Sequence, residues 1–191
     1  MDTQASATTQ ASTVPRHITG EELFEMPGTD RCELVEGEIE RTSPTGWKHG
    51  DLEAQFARRL ADFVDEHELG KVMSGEVGIY TGRDPDTVRG ADVLFISHER
   101  LQNASPEGFL DVAPELVVEI MSPSNAWEAV RQKIEEYFAI GVEQVWIVEP
   151  ANRAVQVYQA RDAVRTLTED DALDGEGPLE GFALDIHTLF V

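Results

Sequence analysis

A chain of 191 residues has the length of one domain, or one domain with tails, and can bury a substantial core. Its 15 Lys and Arg against 37 Asp and Glu give a formal net charge of −22, which disfavours loose electrostatic attraction to nucleic acid or to an anionic membrane. The single Cys32 excludes an internal disulfide framework and a cysteine-rich zinc site, and it fits a reducing cytoplasm. Lysine occurs only at Lys48, Lys71 and Lys133, and so acidic a surface can serve as a solvation device for a high-salt interior.

Residues 1–16 are small and polar and offer little to bury, which predicts a disordered tail ahead of a single domain over 17–191. They lack the basic and apolar regions of a signal peptide, and no run approaches transmembrane length, so a cytoplasmic protein without membrane contact is expected. Thr19-Gly-Glu-Glu22 has the form of a capping box and predicts a short helix stopped by Pro27-Gly28. Residues 31–41 suggest a hairpin turning at Glu36-Gly37. From Asp51 to His67, Leu52, Phe56, Leu60, Phe63 and Val64 recur at helical spacing, with Gly70 as the expected stop.

Residues 71–73, 77–81 and 88–97 read as strands, and 102–114 as a loop or helical turn. The run from Glu115 to Ser122 is apolar on both faces and marks a central strand. After a turn at Pro123-Ser124, Asn125-Ala-Trp-Glu128 predicts a capped helix reaching Ile140, with Gly141 beyond its end. Residues 144–148 and 154–159 form two further strands, and 163–168 and 182–186 suggest short edge strands. The strand, helix, strand unit over 115–149 implies a parallel crossover. The expected fold class is α/β (α+β), a mixed sheet with a long helix on one side and a crossover helix on the other.

Two acids stand where apolar residues are expected. Glu119 shares a strand face with Val117 and Met121, and by alternation Asp92 shares one with Leu94 and Ile96. A buried carboxylate needs a cation or hydrogen-bond donors, and two acids on neighbouring strands would converge into a site for a hard divalent ion such as Mg²⁺. Lys133 lies on the flank of the stripe made by Val130, Ile134 and Tyr137, and the tilt of helical side chains toward the N-terminus lets it reach back to both acids. There it could orient or deprotonate a metal-bound water, or simply close a salt bridge. His49 heads the long helix, where a histidine serves as a surface or capping residue. Arg89, just before Asp92, is the favoured cation for a phosphate, ahead of Arg58-Arg59, while Trp127, Tyr137 and Trp146 read as core aromatics.

Several passages together resemble the Uma-type restriction endonucleases, a branch of the PD-(D/E)xK nuclease superfamily. They are Cys32-Glu-Leu-Val-Glu-Gly-Glu38, His49, Arg89-Gly-Ala-Asp-Val93, the run from Pro114 to Asn125, and Lys133-Ile-Glu-Glu-Tyr137 leading to Trp146. The resemblance covers residues 18–189 and implies a restriction-endonuclease-like mixed β-sheet core flanked by helices. It further implies Asp92 and Glu119 as metal ligands, Glu33 as an additional acid at the metal, His49 as a catalytic contact to a phosphate or the metal-bound water, and Lys133 as a catalytic lysine moved from the strand to the adjacent helix. Met121 stands where the superfamily places that lysine, and Ala91 where it places proline.

The expectation is a DNA endonuclease dependent on Mg²⁺ or Mn²⁺, with DNA as a partner that the net charge disfavours and a homodimer as its assembly. The alternative is an inactive nuclease-fold interaction module, in which Asp92, Glu119 and Lys133 close into an ion-pair network too tight for a metal. A carboxylate-pair hydrolase of small molecules or sugars is a third reading, weakened by the missing aromatic platform.

Overall fold

The computed structural model describes residues 16–29, 31–122 and 126–190. The segment read as a tail lies outside them up to residue 15, as does the turn at Pro123-Ser124. Helix α1 (Gly20–Glu25) carries the expected capping box: Thr19 Oγ1 accepts from the Glu22 amide at 3.2 Å and Glu22 Oε2 from the Thr19 amide at 3.1 Å. Strands β1 (Cys32–Val35) and β2 (Glu38–Arg41) form the expected hairpin, turned by Glu36 and Gly37 at φ 50° and 79°. Two successive left-handed residues match the twist of the flanking strands.

Helix α2 (Trp47–Glu66) starts before the expected Asp51, because its first turn carries His49 and Gly50 in place of the apolar stripe that marks the rest. It ends at Glu66, and the expected stop Gly70 instead opens strand β3 (Gly70–Gly82). A Cβ at Gly70 would lie 2.1 Å from the Ile96 carbonyl oxygen, so that glycine serves close strand approach and not helix termination. β3 is one strand where the sequence suggests two. Gly75 and Glu76, at φ 97° and 59°, form a bulge between Ser74 and Val77, and pairing with β4 (Thr87–Ser97) resumes beyond it.

A short helix α3 (His98–Leu101), not foreseen in the sequence, follows, with Ser97 Oγ accepting from the Arg100 amide at 3.2 Å. Strand β5 (Leu116–Ile120) leads to helix α4 (Trp127–Ile140), which ends as expected on Gly141 at φ 103°. The N-cap of α4 is Ala126, with no side-chain cap, so the helix starts one residue later than the expected box requires; Asn125 itself lies outside the described residues. Strands β6 (Gln144–Glu149), β7 (Ala154–Ala160) and β8 (Ala163–Leu167) complete the main sheet. β9 (Ala172–Asp174) and β10 (Ala183–Asp185) pair with each other in a separate two-stranded sheet, so residues 182–186 do not edge the main one. They form a lid over the core, where Phe182 stacks on Trp146 at 6.0 Å between ring centroids.

The main sheet has the order β2-β1-β4-β5-β6-β7-β8, with β3 also paired to β4. β5 and β6 are parallel, joined through α4, and the other pairs are antiparallel. On one face Phe56, Leu60 and Val64 of α2 pack against Val93, Phe95, Val118 and Trp146. On the other, Val130, Ile134 and Tyr137 of α4 pack against Leu94, Ile96, Val117 and Ile147.

One irregularity positions everything that follows. β4 pairs with β3 along nearly its whole length, but on its other side it meets β1 at Val88 and β5 only from Val93 to Phe95. Residues 89–92 of this buried central strand therefore face a gap in the sheet.

Candidate active site

The gap is closed by side chains. Glu33 Oε1 of β1 accepts from the Gly90 amide at 3.0 Å, Lys133 Nζ of α4 donates to the Gly90 carbonyl at 3.2 Å, and Asp92 Oδ2 accepts from the Ile120 amide at 2.6 Å. An unmet buried backbone group costs about 1–3 kcal/mol, so these side chains replace missing rungs of the ladder. Simple alternation puts Asp92 on the Leu94 face. Its carboxylate is instead drawn into the gap, where it also lies 3.2 Å from Nε2 of His49 on α2, the helix of the opposite face.

On one side of the gap the charges are paired. Lys133 Nζ lies 2.7 Å from Glu33 Oε1 and 3.4 Å from Glu119 Oε2, and the Tyr137 hydroxyl donates to Glu119 Oε1 at 2.6 Å. Arg89, expected to meet a phosphate, donates from Nη1 to Glu33 at 3.0 Å and from Nε and Nη2 to the two oxygens of Glu136 at 2.7 and 2.8 Å. Burial would raise the Glu33 carboxyl, but Lys133, Arg89 and the Gly90 amide outweigh it and hold it below its ordinary value. Burial would likewise strip the proton from Lys133, yet the Glu119 and Glu33 carboxylates hold it well above its ordinary value. The two carboxylates thus favour the cationic form of Lys133, in which it donates to its neighbours.

Glu119 differs from Glu33. Burial and the repulsion of Asp92 push its carboxyl up to about 7, despite Lys133 and Tyr137. The mutual repulsion of Asp92 and Glu119 is the electrostatic mark of two acids facing one space. Tyr137 is buried among core residues as expected, but its hydroxyl also fixes Glu119, a role the sequence reading missed.

On the other side of the gap no Lys or Arg pairs with the acids among the described residues, and the only ion-pair partner is His49, which meets Asp92. His49, Glu53 and Asp92 each offer a ligand atom, and the three atoms lie within 4.8 Å of one another. Burial and then Asp92 raise the Glu53 carboxyl, and hydrogen bonding to Asp92 raises the His49 imidazole. His49 Nδ1 is the one buried side-chain polar atom without a hydrogen-bond partner among the described residues. Glu76 stands on the β3 bulge, its carboxylate leaning over Gly90; a Cβ at Gly90 would lie 2.7 Å from Glu76 Oε2. Burial, then Asp92, raises that carboxyl too.

Glu53 and Glu76 are absent from the sequence reading. Glu53 left a usable signal, since it stands four residues after His49, one turn along the same helix face. Two carboxylates and an imidazole with an unpartnered nitrogen fit a divalent cation that accepts both oxygen and nitrogen donors. His49, Glu76, Asp92, Glu119 and Lys133 line a cleft of about 560 Å³ together with the loop over residues 41–46.

A mixed sheet flanked by helices is the architecture of a nuclease fold, and comparison with known proteins agrees. Residues 21–187 match the Uma2 family, described as "Putative restriction endonuclease", and the chain belongs to that family. The crystal structure of "a putative nuclease belonging to DUF820 from Anabaena variabilis ATCC 29413" is 21% identical in sequence. It superposes with a TM-score of 0.77 over 91% of this chain and 97% of its own, so the two share a fold. No curated protein matches the chain. Among the described residues no helix is long and apolar enough to cross a membrane.

Proposed function

We propose that this protein is a metal-dependent DNA endonuclease of the PD-(D/E)xK type. The observation that carries this reading is the gap in β4, where Asp92, with its own backbone hydrogen bond from Ile120, stands between Glu119 on one side and His49 and Glu53 on the other. Asp92, Glu53 and His49, with Glu119 opposite, would hold Mg²⁺ or Mn²⁺, which when bound supplies positive charge to polarise a phosphodiester and acidify water.

The chain's own residues do the rest. Lys133, its three N–H groups held by Glu33, Glu119 and the Gly90 carbonyl, sets a fixed positive charge beside the developing phosphate charge. Tyr137 fixes the Glu119 carboxylate, and Arg89, clamped by Glu136, fixes Glu33 and through it Lys133. Glu76, with its raised affinity for a proton, is the carboxylate suited to take the proton released from water at Oε2.

The inactive-module reading has one observation in its favour, the saturated network around Lys133. That network leaves Asp92 out, for Lys133 pairs with Glu33 and Glu119 and Asp92 pairs with His49.

Asp92→Asn separates the two readings, because an amide oxygen still accepts from the Ile120 amide while the charge is gone. The variant should melt near the wild-type temperature, lose calorimetric binding of Mn²⁺, and cleave plasmid and single-stranded DNA about 10³-fold more slowly. Wild-type protein that binds no ion and cuts neither DNA at low or high salt would defeat the nuclease reading.

A further inference from the structure

A second cavity, of about 200 Å³, opens beside the catalytic cleft and shares Glu33, Thr42 and Glu76 with it. Its character is different. Leu23 and Val88 are buried among its lining residues, and Phe24 and Phe109 meet edge to face, with ring centroids 5.3 Å apart. Thr29 and Arg31 supply polar groups.

Phe109 is held in place by the backbone. The Leu110 amide donates to the Gly78 carbonyl at 2.9 Å and the Tyr80 amide to the Leu110 carbonyl at 3.0 Å, stitching this loop to the free edge of β3. Gly78 leaves the room, since a Cβ there would lie 2.2 Å from the Phe109 ring. The aromatic wall is therefore formed before any ligand arrives, and little ordering entropy is lost on binding.

The surface around it points the same way. Four large apolar side chains are exposed among the described residues: Phe24 at 55%, Met26 at 37%, Trp47 at 79% and Val164 at 50%. Phe24 and Met26 line this cavity, and Trp47 directly follows Gly46 at the edge of the catalytic cleft. Phe24 and Met26, exposed at the rim of one cavity on a highly charged surface, mark a binding site, while Val164 lies apart on β8. At a formal net charge of −22, a polyanion gains little from long-range attraction, whereas stacking on aromatic faces works with any base and does not depend on net charge.

We propose that this cavity receives one unpaired nucleobase next to the scissile phosphate, so that the strand cut is single-stranded or locally unpaired DNA. The inference rests on the nuclease reading above. A volume of about 200 Å³ falls below the ~300–1,000 Å³ of drug-sized sites and suits a single ring system. Whatever enters is connected through the shared walls at Glu33 and Glu76 to the group lying at Asp92. For a phosphodiester at Asp92, the neighbouring group of that size is its own nucleoside's base.

The test uses the full chain with Ca²⁺ to hold DNA without turnover, and a series of short single-stranded oligodeoxynucleotides each carrying one abasic residue. Binding should weaken about tenfold or more at one position of the series and hardly at the others, and the matched duplex should bind more weakly than the intact strand. Phe109→Ala and the more exposed Phe24→Ala should weaken single-strand binding by about 5- to 100-fold, with Mn²⁺ binding unchanged. The abasic series needs no variant, so it stands even if Phe109→Ala folds poorly. Equal losses at every position, or duplex bound as tightly as single strand, would overturn the proposal while metal-dependent cleavage persists. Absence of all DNA binding and cleavage would take the nuclease reading down with it.

Discussion

The two sides of the gap in β4 are built from the same residue types and behave as opposites. Around Lys133 every acid has a cation: Glu33 meets Lys133 and Arg89, Glu136 meets Arg89, and Glu119 meets Lys133 and the Tyr137 hydroxyl. Around His49, Glu53 and Glu76 both face Asp92, and their carboxyls are pushed up by burial and then by the Asp92 charge. Burial alone does not distinguish a structural acid from a ligand. What differs is the countercharge: Lys and Arg supply it around Glu33 and Glu136, whereas beside His49 no Lys or Arg pairs with Glu53, Glu76 or Asp92 among the described residues.

The largest effect that would break this contrast is on the paired side. Lys133→Met leaves Glu33 and Glu119 buried with reduced compensation, and should cost about 3–5 kcal/mol in chemical denaturation as well as activity. A stability close to wild type would mean that the network is looser than the distances imply.

On the unpaired side the loss should be one of affinity and not of stability. His49→Ala should weaken Mn²⁺ binding about 10- to 100-fold by calorimetry and weaken Mg²⁺ less, because imidazole suits the softer ion. Equal weakening of both ions would place His49 outside the coordination sphere.

The smallest effect is a pH slope. Glu119 has a folded value of about 7, above its ordinary 4.5, so between these limits the folded protein holds a proton that the unfolded chain has released. Metal-free protein should lose stability as pH rises from about 4.5 through about 7, by at most about 3 kcal/mol, with no further loss from this group above that range. Lys133, raised as well, contributes in full throughout that window, since the window lies far below its ordinary value of 10.5. Glu119→Gln should flatten the melting temperature across the window, and saturating Mn²⁺ should do the same for the wild type. A slope that survives in Glu119→Gln would move the effect to Glu53 and Glu76.

The sequence made Glu119, Asp92 and Lys133 legible and hid most of what they meet: Glu136, which clamps Arg89, the Tyr137 hydroxyl on Glu119, and the acids beside His49. Glu119 and Asp92 stand out because an acid inside an apolar strand demands a reason, and Lys133 because helical phase places it on the flank facing them. His49 entered through the family resemblance. Glu53 carries one clue, its place one turn after His49, which gains meaning once α2 is known to begin at Trp47 and to bring His49 into the gap. Glu76 is beyond sequence reasoning, since its place depends on a bulge that appears only when β3 pairs with β4. The same tertiary pairing turned two expected strands into one, and β9 escaped because three residues are too short to show a period, so that β10, read within residues 182–186, was given to the edge of the wrong sheet.

Strand β4 completes its hydrogen bonding with the carboxylates that would also perform the chemistry. The consequence is historical as much as mechanical. A lineage that stopped needing cleavage could not discard Asp92 or Glu33 by single random substitutions, because each loss would open the middle of the sheet before any benefit accrued. Asparagine at position 92 is the one easy exit, since it keeps the bond to Ile120 and abandons the charge. Descendants that have retired from catalysis should therefore be recognisable by that exchange, and should keep the shape of the cleft long after its use is gone.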